Sequence, residues 1–111
     1  MQSLNQTLLK IKTALTAIEE LKVYHYWRPR LQAPYCIWAE DGEGDSLHAD
    51  NKKKEQVISG TIDYFTKEEF DDNVDAIQEA LNDIEIGWEL SSVDYEDETN
   101  LIHYTWTFET A

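Results

Sequence analysis

Asp41, Glu43 and Asp45 put three carboxylates at alternate positions of the segment EDGEGDSLHADNKKKE. That is how an oxygen-rich calcium loop begins. Such a loop also needs a glycine at its sixth position and a glutamate at its twelfth. Counted from Asp41, those places hold Ser46 and Lys52, so no metal is expected here. Other carboxylates could pair as general acid and base. With 23 Asp/Glu in 111 residues, chance pairs are everywhere and the signal carries nothing. Cys36 is the sole cysteine, in a short apolar stretch with no His or Asp pattern around it; it reads as a small buried hydrophobe rather than a nucleophile. His48 reads as a solvated loop residue and His103 as structural or solvated. The chain has no glycine-rich phosphate loop, no paired-cysteine spacing, no HExxH and no GxSxG. The expectation is a protein that is not an enzyme and takes no cofactor.

The residue types that remain are those of recognition. Residues 23–34, VYHYWRPRLQAP, hold Tyr26, Trp27, Arg28 and Arg30 between two prolines. Tyr, Trp and Arg anchor protein interfaces, while proline stops regular backbone pairing. This segment therefore reads as a linker or as a contact between subunits. Charge sharpens the second reading. Residues 1–34 carry five Lys/Arg against two Asp/Glu, a balance of +3, whereas residues 35–111 carry four Lys against 21 acids, a balance of −17. Opposite signs on two parts of one chain suit head-to-tail association. The net charge of −14 opposes sequence-specific nucleic-acid binding. It fits surface solubility, an acidic channel wall, a docking face for a basic partner, or mimicry of DNA.

These residues must be positioned by regular elements. In residues 56–81, QVISGTIDYFTKEEFDDNVDAIQEAL, β-branched and aromatic residues predict a strand. TKEE then has the form of a capping box, with Thr66 and Glu69 reaching for each other's backbone. Phe70, Val74, Ile77 and Leu81 follow at helical spacing, predicting a helix over 67–84. Its outer face carries Glu68, Asp71, Asp72, Asp75, Glu79 and Asp83. Residues 3–22 predict an amphipathic helix with apolar Leu4, Leu8, Ile11, Leu15 and Ile18, opened by a Ser3–Gln6 box. Residues 35–39 predict a strand, 40–55 a long polar loop, and 85–96 with 101–109 a closing antiparallel hairpin. In the last strand Ile102, Tyr104, Trp106 and Phe108 share one face. The fold class is α+β: one domain over 1–111, with a four-stranded antiparallel or mixed sheet and both helices on one face, in the order α-β-β-α-β-β. No run of about 18 apolar residues predicts a membrane span. The polar start MQSLNQTLLK does not resemble a signal peptide, and a single cysteine fits a reducing compartment.

The sequence of elements, with the strand YCIWAED, the stretch ISGTIDYFTKEEFDDNVDAIQEAL and the ending LIHYTWTFE, resembles the tail terminator or tail-completion proteins of long-tailed bacteriophages and prophages. The strand leading through an aromatic-Thr-Lys turn into an acidic helix is the most telling part. The resemblance implies a structural virion protein without catalytic residues. It would be monomeric or weakly associated before assembly and then form a ring, typically a hexamer, on the head-proximal end of the tail tube. There it would contact the tail tube protein and the head connector protein. Its location would be the virion, and the host bacterial cytoplasm during assembly. DNA would pass through the ring, and Asp41, Glu43 and Asp45 of the loop, or Asp71, Asp75 and Glu79 of the helix, would line the lumen or meet the tube. Two other readings are a head–tail connector or neck protein, and a small acidic inhibitor that mimics DNA.

Overall fold

The computed structural model describes residues 3–27, 30, 32–44, 48–49, 52–53 and 56–110. Helix α1 (Leu4–Thr16) is followed by strands β1 (Val23–His25), β2 (Tyr35–Glu43), β3 (His48–Ala49), β4 (Lys52–Lys53) and β5 (Ile58–Thr66). Helix α2 (Asp72–Asp83) and the strands β6 (Gly87–Glu96) and β7 (Leu101–Glu109) complete the order. The main sheet has five strands in the order β1-β2-β5-β7-β6, and β3 and β4 form a separate antiparallel pair. The class is α+β, as expected. The sheet is mixed because β1 runs parallel to β2, while every other neighbour is antiparallel.

The fifth strand corrects the expected count of four. Val23–His25 lies inside the segment that the prolines made look like a linker. Three residues are too few to show a period of two. Long-range pairing sets their conformation instead: the Tyr26 amide donates to the Trp38 carbonyl at 2.9 Å, and the Cys36 amide to the Lys22 carbonyl at 2.8 Å. The polar loop is also shorter than expected at its start. Residues 40–43 continue β2 past a bulge between Glu40 and Gly42, because Ser59 and Ile58 of β5 supply pairing partners that composition cannot reveal.

Helix α1 opens as predicted. Gln6 N donates to Ser3 Oγ at 3.1 Å and Ser3 N to Gln6 Oε1 at 3.2 Å. It ends earlier than expected, at Thr16 rather than residue 22. Thr16 Oγ1 bonds back to the Lys12 carbonyl at 2.7 Å, and Glu20 at φ 63° turns the chain. Ile18 and Leu21 still reach the core from these turns.

Both helices cover one face of the sheet. Ile11 and Leu15 of α1 and Ile77 and Leu81 of α2 pack in one buried cluster with Cys36, Trp38, Ile62, Tyr64, Trp106 and Phe108. These strand residues are cross-strand neighbours on one face: Tyr64 beside Cys36, and Ile62 between Trp38 and Trp106. At the centre, Gly60 stands opposite Phe108, and any side chain there would collide with the Ala39 carbonyl oxygen and the Phe108 ring. The expected face of β7 holds, with Trp106 and Phe108 buried and Ile102 and Tyr104 half-buried. On the other sheet face Tyr35, Phe65 and Leu101 form a small cluster, with the Tyr35 and Phe65 rings stacked at 4.9 Å.

Candidate functional site

The join between β5 and α2 departs most from its sequence pattern. The expected TKEE box does not form. Thr66 Oγ1 instead accepts from Glu68 N at 3.1 Å and donates to Asp71 Oδ2 at 2.7 Å. Asp71 is the N-cap, taking Asn73 N on Oδ1 at 2.9 Å, so α2 starts at Asp72 and not at residue 67. Asp71 Oδ2 also accepts the Tyr64 hydroxyl at 2.6 Å. Asp71 therefore leaves the solvated acidic face where its helical position put it: it is 8% exposed and holds the strand to the helix. Burial, then the hydrogen bond to Asp71, pushes the Tyr64 phenol well above its ordinary pKa.

This cap turns Phe70 outward. The stripe Phe70–Val74–Ile77–Leu81 holds for its last three members, but Phe70 adopts φ 57° and is 94% exposed. A bulky residue in the left-handed region costs about 1–2 kcal/mol. The three hydrogen bonds of the adjoining Asp71 carboxylate hold the backbone there, and such outliers cluster at binding and switch sites. Phe70 stands at the mouth of a groove of ≈ 600 Å³ whose apolar wall is Val74, Val93, Tyr95, Ile102 and Tyr104. Val93 and Tyr95 project from the edge strand β6 and are 50% and 60% exposed. Glu69 and Asp75 form the charged rim. Farther along α2, Glu79 is exposed beside solvent, as Asp72 and Asp75 are.

A second aromatic surface follows β1. His25 is stacked between Tyr26 at 3.8 Å and Trp38 at 3.9 Å, and its Nε2 lies 2.7 Å from Glu40 Oε1. The Tyr26 hydroxyl donates to the other oxygen of Glu40. Burial works to raise the Glu40 pKa, but the bonds from Tyr26 and His25 outweigh it and the net shift is downward. The same bond to Glu40 raises the Tyr26 phenol. The Trp27 ring lies tilted at 50° to Tyr24 with centroids 5.8 Å apart, and Trp27 is 64% exposed. Arg30 is exposed, while Arg28 lies outside the described residues.

The acidic loop candidates do not converge. Asp41 accepts from Ser59 Oγ of β5 at 3.1 Å, and Glu43 from Gln56 Nε2, just ahead of β5, at 3.0 Å. Asp45 lies outside the described residues. No group of three metal-ligating side chains is found among the described residues. On the open sheet face Asp63 Oδ1 is met by His103 Nε2 at 2.7 Å and Thr105 Oγ1 at 3.0 Å. The Thr105 hydroxyl thus bonds the carboxylate directly, and the His103 ring lies on Phe65 at 4.1 Å, so the trio ties β5 to β7. Cys36 is fully buried and its thiol pKa is strongly raised by desolvation, which leaves it inert.

The groove was missed from sequence because Phe70 fell in register with a core stripe and Val93 and Tyr95 alternated like ordinary strand residues. The signal that could have found it is the pair Asp71–Asp72 followed by Asn73, a better cap than Thr66 for a helix of this length. No family model matches this chain, and no curated protein matches it.

Proposed function

We propose that this chain is a structural virion protein that caps the tail tube of a long-tailed phage or prophage. It works as a ring, taken as a hexamer, and joins the tube to the head connector. The observation that carries the reading is the set of large aromatic side chains outside the core of an acidic domain: Tyr26 at 59% exposure, Trp27 at 64%, Phe70 at 94% and Tyr95 at 60%. Exposed Tyr and Trp beside charges have the chemistry of docking anchors. The resemblance of the element order to tail-completion proteins supplies the kind of assembly. Glu79, exposed on α2, then serves as a carboxylate that keeps DNA from adhering to the lumen. The test is to mix the protein with uncapped tail tubes and image them by electron microscopy. Rings at one tube end are expected, and tubes that stay bare at saturating protein refute the reading. Charge reversal at Glu79, which lies outside the groove, is expected to leave capping intact and slow DNA ejection.

One observation favours a second reading, a DNA-mimicking inhibitor. The molecule measures 53 × 25 × 23 Å, a rod-like outline for a chain with net charge −14. That reading predicts tight, salt-sensitive binding to a DNA-handling enzyme and no effect on tail tubes.

A further inference from the structure

We propose that the groove at Phe70 receives the outer ridge of α1 from a second copy of this chain, with Leu9 as the inserted side chain. This rests on the self-assembly reading above and assigns its contact surface. Leu9 is 55% exposed, on the opposite side of α1 from Ile11 and Leu15, which are fully buried. Lys10 and Lys12 flank it on the two sides of that ridge, and both are exposed. Residues 3–18 contain these two lysines and no carboxylate, in a chain whose net charge is −14.

The groove offers the complement. Its wall is aromatic and aliphatic, and its rim is Glu69 and Asp75. A basic helix with one apolar knob satisfies both features: the knob leaves water and the ammonium groups face carboxylates. Groove-to-groove pairing of two copies would instead bring like charges together. A chain cannot fill its own groove with Leu9, because Ile11 and Leu15 anchor α1 in the core with the Leu9 side turned away. The contact is therefore heterologous. Each copy gives one surface and accepts the other, which closes into a ring or continues as a chain.

Two exposed positions test this by cross-linking. Leu9→Cys and Tyr95→Cys each add one surface thiol, while native Cys36 is 0% exposed and does not compete. Under mild oxidation the two variants mixed together should form a disulfide dimer about tenfold faster than either alone, the ratio that ~1.4 kcal/mol of specific contact supports. Adding Lys12→Glu to the Leu9→Cys chain should cut the mixed product about fivefold, and Asp75→Lys on the partner should restore it. Equal cross-linking of each variant alone, or no mixed product, overturns the proposal. Capped tubes without the mixed disulfide would sink this surface assignment and leave the ring reading standing. The mixed disulfide with bare tubes would support the contact and sink the capping role.

Discussion

Asp71 is the residue whose removal tests the fold argument most directly. Its carboxylate takes three hydrogen bonds, from Asn73 N, the Tyr64 hydroxyl and the Thr66 hydroxyl. Asp71→Ala removes the N-cap, worth about 1 kcal/mol. It also strands two hydroxyls: Thr66 is 2% exposed and Tyr64 is fully buried. Tyr64 Oη keeps one partner, since Asn73 Nδ2 still donates to it at 3.0 Å, so the loss there falls at the low end. Leaving buried hydroxyl protons unmet costs about 1–3 kcal/mol each, and the total comes to about 3–5 kcal/mol. For a domain near this size that lowers Tm by roughly 12–25 °C. Urea denaturation at neutral pH measures it, with Asp75→Ala as the exposed control, expected within about 0.5 kcal/mol of the parent. Asp71→Asn keeps the cap oxygen and should lose about half as much. An Asp71→Ala chain within about 0.5 kcal/mol of the parent would refute the buried-cap account and return Asp71 to the solvated helix face.

Phe70→Gly should stabilise the fold by about 0.5–1 kcal/mol, since glycine accepts φ 57° freely and a side chain 94% exposed loses little burial. Urea denaturation checks it, and a loss above about 1 kcal/mol would mean that Phe70 packs within its own chain. The same variant should bind a second copy more weakly, as read by sedimentation over a wide concentration range. Stability should fall with rising pH from about 8.5, where the unfolded thiol ionises while buried Cys36 stays protonated, and further from about 10 as the same holds for Tyr64. Both folded pKa values are raised, so both contributions are complete at lower pH. Cys36→Ala should flatten the first part of that decline by up to ~1.4 kcal/mol per pH unit, seen by comparing denaturation at two alkaline pH values. Ser3→Ala should cost about 1 kcal/mol by opening the N-terminal cap of α1, again by urea denaturation.

The elements whose periods run long were legible in the sequence. Ile11 and Leu15, Ile77 and Leu81, and the alternation Trp106–Phe108 all sit where their spacing puts them, because each repeats over enough residues to select one face. Illegible were the places where a distant partner outweighs local pattern. Val23–His25 is a strand only because β2 runs beside it, and residues 40–43 extend β2 only because β5 does. At Thr66 and Asp71 two capping residues competed. The winner was decided by a buried tyrosine hydroxyl, which a linear pattern does not contain. The exposure of Tyr26, Trp27 and Arg30 after β1 was legible from their place beside the prolines; the groove was not, because its wall comes from α2, β6 and β7 together.

The notch at Gly60 has a consequence for kinship. The Phe108 ring occupies the space that a side chain at position 60 would need, so neither position can change freely while the other stays. Descendants of a common ancestor that have drifted beyond recognisable alignment should still hold a glycine facing an aromatic across the β5–β7 pair, or have replaced both at once. Paired with an aspartate that begins the following helix, this covariation is a fingerprint by which lost relatives can be sought in three dimensions.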